Sequence, residues 1–280
     1  MPAAPAPSPT VDLAELRQRL AKIERKGALG GPEPFPLGVE EIDAALGGGL
    51  ARGALHEVFA ARTADAPSAS AFSIGLALRA AGKRPLIWVR QDFAGVETGA
   101  LYAPGLAELG LDPTRLVLVR ARDGPDVLRA GEEAARCSAL GAVLIEPWGA
   151  PKALDLVATR RLSLAAEASG VSLVMIRAGA DPAPSAAATR WSVRSSPSTP
   201  LEADAPGGPA FAVDLVRARA GPAGRTWRLE WDREQRSFRL APPLHVGVAA
   251  PPAGGQDPEG AGEADGIVVA HERRESLSIG

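Results

Sequence analysis

From Val11 to Lys26, Leu13, Leu16, Leu20 and Ile23 recur at alternating three- and four-residue spacing, which predicts an amphipathic helix with one apolar stripe. Asp12 and Glu15 open it, Arg25 and Lys26 close it, and Gly27 ends it, all in the sense the helix dipole favours. A proline- and glycine-rich link, GALGGPEPFP, leads to a shorter helix from Val39 to Leu46 with Glu40 and Glu41 in its first turn. Gly47, Gly48 and Gly49 stop that helix, because glycine alone takes left-handed backbone angles freely. A turn at Arg52-Gly53 then feeds a short β run, ALHEVFA. Beyond it the pattern alternates: helix Ala69 to Ala81, strand Pro85 to Arg90, a helix around Leu106, a turn at Gly110 to Pro113, strand Leu116 to Val119. Helix Pro125 to Leu140, strand Ala142 to Ile145, helix Lys152 to Ser169 and strand VSLVMI complete the series. Such alternation predicts βαβ units in an α/β fold with a mainly parallel sheet. Trp191 to Arg194, Phe211 to Arg219, Thr226 to Trp231 and SFRL read as antiparallel strands joined by PSTPLEADAPGGP and AGPAGR.

Composition divides the chain in three. Residues 1–35 hold a Pro/Ala-rich lead, the amphipathic helix and its link; 36–240 form the core; 241–280 are a Pro-, Gly- and acid-rich tail that reads as disordered. The last stretch, GIVVAHERRESLSIG, regains apolar and charged character, which suits a partner-binding segment and equally an unused tail. A formal charge of -2 gives no global basic field for nucleic acid. The single Cys137 excludes an internal disulfide and is expected to be a small buried side chain on a helix. Three scattered histidines, His56, His245 and His271, do not suggest a metal site. The start MPAAPAPSPT lacks the charge and apolar run of a signal peptide, and no stretch is long enough to span a membrane. The expectation is a cytoplasmic bacterial protein.

The stretch Pro36 to Phe59 carries the pattern L-G-x-x-x-I-D-x-A-L-G-x-G-L-x-x-G-x-L-x-E-V. It resembles the opening of the RecA/RadA recombinase ATPase core, where a glycine-rich turn leads into the first core strand and then the phosphate loop. That loop reads G-x-x-x-x-G-K-[ST], whose N–H groups and lysine cradle phosphates and whose hydroxyl holds magnesium. Here the matching stretch, ARTADAPSAS, has no glycine and no lysine, and Pro67 removes an N–H donor. Arg62 could supply charge, and Ser68 and Ser70 hydroxyls, only if the site is used. The resemblance also implies a water-activating glutamate at the end of the next strand. Gln91-Asp92 stands there: glutamine is no base, and Asp92 is shorter, displaced by one place and read as a turn or helix cap. Glu146 falls where a magnesium-linked aspartate would be and is read as a solvated strand-end acid. No catalytic residue and no cofactor are expected: the site reads as that of a pseudo-ATPase.

The decayed loop, the L-x-x-x-RRL-x-LAAEASGV-like helix and strand and the short loops PWGAP and RAGADPAPSAAAT make the chain, over Leu13 to Leu240, similar to the ImuA family. In full that helix reads KALDLVATRRLSLAAEAS. Membership implies a RecA-related accessory role in SOS-induced translesion synthesis. It implies binding to ImuB, an inactive Y-family polymerase relative, with RecA as a second partner and an error-prone C-family polymerase reached indirectly. The Leu13, Leu16, Leu20 and Ile23 stripe either packs on its own core or docks on a RecA protomer. Arg160 and Arg161 are either a solvated basic face or a contact to a partner or nucleic acid. Direct DNA binding is expected to be weak or absent, because the second loop lacks a glycine-rich basic run. Two other functions stay open: a DNA-dependent ATPase of RecA/RadA type with a nonstandard loop, and a cell-division inhibitor related to SulA.

Overall fold

The computed structural model describes residues 33–205, 207–219, 221 and 223–243. The stripe Leu13, Leu16, Leu20 and Ile23 lies outside the described residues, as does the tail from residue 244 onward. The first described helix, α1 (Glu40–Ala45), explains the Ile-Asp pair of the opening motif. Ile42 is fully buried. Asp43 turns back and accepts hydrogen bonds from the Leu37 and Gly38 N–H groups at 2.7 and 3.0 Å, which fastens the incoming chain. Gly47, Gly48 and Gly49 have φ of 74°, 113° and 126°. A Cβ on Gly49 would stand 2.3 Å from the Phe35 carbonyl oxygen, so that turn needs glycine for space as well as for angle.

Strands β1 (Leu55–Ala60), β2 (Leu86–Gln91), β3 (Leu116–Ala121), β4 (Ala142–Glu146), β5 (Ser172–Arg177) and β6 (Thr189–Ser195) form the parallel part of the sheet. Strands β7 (Ala210–Ala218), β8 (Arg225–Asp232) and β9 (Ser237–Leu240) continue it antiparallel. The order across the nine strands is β3-β2-β4-β5-β1-β6-β7-β8-β9. The expected α/β class, mainly parallel with antiparallel closing strands, is the one found. β1 lies inside the sheet with all of its residues buried, His56 and Glu57 included.

Helix α2 (Ala66–Ala81) covers one face, packing Phe72 and Leu76 against a core that includes Trp88, Trp191, Phe211 and Phe238. Gly75 is required there: a Cβ would meet Phe238 at 2.5 Å. Helices α5 (Gly124–Ala135) and α6 (Leu156–Ser169) cover the other face, over Val89, Val143, Leu173 and Met175. Between β2 and β3 run α3 (Asp92–Thr98) and α4 (Ala103–Glu108).

Four local expectations are corrected. β6 is antiparallel to β7 but parallel to β1, because the connection 178–188 is long enough for a crossover. Asp92 does not cap a helix; it is the first residue of α3, whose cap is Gln91. Cys137 lies past the end of α5 and is exposed. α6 begins at Leu156, not Lys152, because the Asp155 carboxylate caps it by accepting the Ala158 N–H at 2.8 Å.

Candidate functional site

Open parallel sheets bind ligands at the carboxyl ends of their strands. The chain places Arg62 just after β1, Asp92 just after β2 and Glu146 at the end of β4, all on that edge. Each is occupied by a partner from within the chain.

Residues 61–65 are the whole connection from β1 to α2, and Thr63–Asp65 form a 3₁₀ turn within it. A phosphate cradle needs unpaired backbone N–H groups. Here the Ala61 N–H donates to the Val193 carbonyl at 3.0 Å and the Asp65 N–H to the Arg62 carbonyl at 2.8 Å. Pro67 has no N–H to offer and sits instead in the first turn of α2, where its fixed φ suits a helix start. Asp65 matters most. Its carboxylate is at the N-terminus of α2, the end where a helix dipole attracts an anion. It accepts the Ser195 N–H at 3.0 Å, the Ser195 hydroxyl at 3.1 Å and the Arg62 Nε–H at 3.0 Å. The hydrogen bond from Arg62 first, then those from Ser195, hold its pKa below the ordinary carboxylate value against the opposing effect of burial. A phosphate approaching this helix end would meet a fixed negative charge. Arg62 is spent on that carboxylate, and Ser68 and Ser70 are half-buried in the first turn of α2.

At the end of β2, the Gln91 side-chain oxygen accepts the Trp148 N–H at 2.9 Å and so ties β2 to the loop after β4. Asp92 pairs with Arg120 of β3 at 2.8 Å in an exposed ion pair. Glu146 is not a solvated acid: it is buried, accepts the Trp88 Nε1–H at 2.8 Å, and lies 3.0 Å from Arg90 Nε. Burial pushes its carboxyl up, against the downward pull of Arg90 and Trp88. Arg90 also donates to the Gly99 carbonyl at 2.8 Å, the Ala94 carbonyl at 3.2 Å and the Thr98 hydroxyl at 2.5 Å, so it pins α3 over the end of β2.

One cluster is not apparent from sequence. Glu57, fully buried on β1, accepts the Arg190 Nε–H at 2.8 Å and the Ser185 hydroxyl at 3.0 Å, with Arg177 at 3.5 Å. Arg177 lies over the Phe59 ring at 5.2 Å, and desolvation lowers its pKa. An acid inside the apolar run ALHEVFA was the visible signal; its partners, far along the chain, were not. His56, its neighbour, is also buried: Nε2 meets the Ala51 carbonyl at 2.9 Å and Nδ1 the Thr189 hydroxyl at 2.8 Å. Both contacts suit a neutral ring, and desolvation lowers its pKa to about 4.

Arg160 and Arg161 are brought to none of these groups. Both are exposed on α6; Arg161 bonds Glu132 of α5 beside a groove of about 210 Å³ between the two helices. No group of histidines, cysteines and acids among the described residues has the arrangement of a metal site. No helix among them is long and apolar enough to cross a membrane.

No protein-family model matches the chain. A solved structure of the RadB recombinase is similar in fold, with a TM-score of 0.48 and 15% identity, over 73% of this chain and 98% of that one. The ImuA proteins of two Caulobacter vibrioides strains, NA1000 / CB15N and ATCC 19089 / CIP 103742 / CB 15, are each 36% identical over 212 residues. The alignment spans 69% of this chain and 82% of each relative. At that identity and coverage, the chain belongs to the ImuA family.

Proposed function

We propose that the chain is a non-catalytic, RecA-like adaptor in damage-inducible mutagenesis, acting by protein contacts and not by nucleotide turnover. The observation that carries this reading is Asp65, an internal carboxylate held at the helix end where a phosphate would have to bind. Glu146, ion-paired and buried, supports it, because a carboxylate tied to Arg90 is poorly placed to hold a hydrated magnesium ion. The partners this reading takes from the family are an ImuB-type inactive Y-family polymerase relative and RecA, with an error-prone C-family polymerase reached through the first. The outer face of α6 exposes Leu156, Val157 and Leu164 beside Arg160, and this reading takes it as a contact surface. Exposed apolar groups grouped on one helix face suit a protein partner better than a phosphate backbone. The test is a calorimetric titration of the full chain with ATP and magnesium, paired with capture of the ImuB-type protein. The expected result is no saturable heat at millimolar nucleotide, together with capture that Leu156→Asp and Leu164→Asp weaken. Saturable nucleotide binding would overturn the adaptor reading.

A further inference from the structure

The sheet has two edges, and they are built differently. β9 is four residues long and carries Arg239, which is paired with Glu230 of β8. Short length and charge are common ways of guarding an edge. β3 is less guarded: its one charge, Arg120, stands near its end and is paired with Asp92. It is six residues long, and Leu116, Val117, Leu118 and Val119 follow one another without a polar break. Among the described residues only β2 pairs with it, so one row of its backbone N–H and C=O groups faces outward. Val117 and Leu118 point to opposite faces of the sheet and are 53% and 43% exposed, so the helix layers leave these two side chains partly uncovered.

We propose that β3 pairs antiparallel with β3 of a second copy, about a two-fold axis through Leu118. The pleat and the apolar run choose this register. Opposed residues of an antiparallel pair share a face of the sheet, so the axis must pass through a residue, and an axis through Val117 would pair only Leu116 to Leu118 within the strand. An axis through Val119 would set Leu118 opposite Arg120. With the axis through Leu118, Leu118 meets Leu118, Val117 meets Val119, and Arg120 meets Leu116. Both exposed residues are then covered by apolar partners, no arginine faces another, and the outward backbone row is hydrogen-bonded. The contact is self-complementary and closed, as a two-fold interface must be.

The test uses the full chain. Light scattering is expected to give the mass of a dimer, halved by Val117→Lys and by Leu118→Lys. Both positions are about half exposed, so the far-UV circular dichroism of these variants should stay that of the wild type. The register has its own readout. In a Cys137→Ser background, which removes the exposed native thiol, Leu118→Cys is expected to form an intermolecular disulfide with oxidised glutathione. Directly opposed Cβ atoms lie about 4.5–5.5 Å apart, and a small shift of the paired strands brings them to the roughly 3.5–4.5 Å of a disulfide. Leu240→Cys on β9, equally exposed, should stay reduced. A monomeric wild type overturns the proposal and leaves the edge to a strand of another protein. A dimer that survives both lysines, or a Leu118→Cys chain that does not cross-link, overturns it as well.

Discussion

Asp65→Ala is the substitution that most directly probes the reasoning about the nucleotide edge. It removes the acceptor of two hydrogen bonds from Ser195 and two from Arg62. Arg62 is 71% exposed, so water screens its attraction and its share is small. The Ser195 bonds are different, because the carboxylate is only 1% exposed and the Ser195 N–H would lose its partner. A hydrogen bond to a charged group contributes about 1.5–3 kcal/mol. Ser195 is exposed, so water takes over part of what its N–H loses, and Asp65→Ala is expected to lose about 2 kcal/mol in urea unfolding. Asp65→Asn, which keeps a neutral acceptor, should lose about 1 kcal/mol. Arg62→Ala should leave the urea midpoint close to that of the wild type. The pH dependence has a definite sign. The folded pKa of Asp65 is depressed, so its stabilisation is present above the unfolded value of about 3.9 and fades as pH falls through the folded one. The gap between wild type and Asp65→Ala should therefore close below about pH 4. An Asp65→Ala chain within about 0.5 kcal/mol of wild type at pH 7 would refute the claim that this carboxylate organises the loop.

Three further outcomes follow from the buried charges. Glu57→Gln leaves Arg177 and Arg190 without a counter-charge inside the sheet and should cost about 3–5 kcal/mol by chemical denaturation. Arg90→Ala strands Glu146 and releases α3; a loss of about 3–5 kcal/mol is expected, with a shift in tryptophan emission because Trp88 bonds the same carboxylate. His56 is neutral when folded, with its pKa lowered to about 4, while the unfolded chain binds the proton near pH 6.5. Stability should thus fall by up to roughly 3 kcal/mol as pH drops from about 6.5 to about 4, and His56→Asn should flatten urea-midpoint profiles across that window.

Much of the fold was legible because it is local. The glycine triplet, the Ile42-Asp43 pair and the β run ALHEVFA each state a backbone requirement in adjacent residues, and the structure meets each of them. The departure from the G-x-x-x-x-G-K-[ST] pattern was equally local: the missing glycines and lysine and the presence of Pro67 can be read off the chain. The strand-end acids were not legible. Glu146 reads like a solvated terminus, because nothing near it in sequence announces Trp88 and Arg90.

The sequence by itself determined where helices and strands lie, that the sheet is mainly parallel, and that the nucleotide loop lacks its working groups. These follow from periodicity, turn chemistry and the presence or absence of particular residues, which act over a few positions. Only the tertiary structure decided what each charged group does. Asp65 bonds a serine on β6, Glu57 meets arginines from β5 and β6, and β3 lies at the edge with no strand beyond it among the described residues. Burial and pairing depend on strand order, and strand order is set by how far-apart segments pack their apolar faces, which no local pattern encodes.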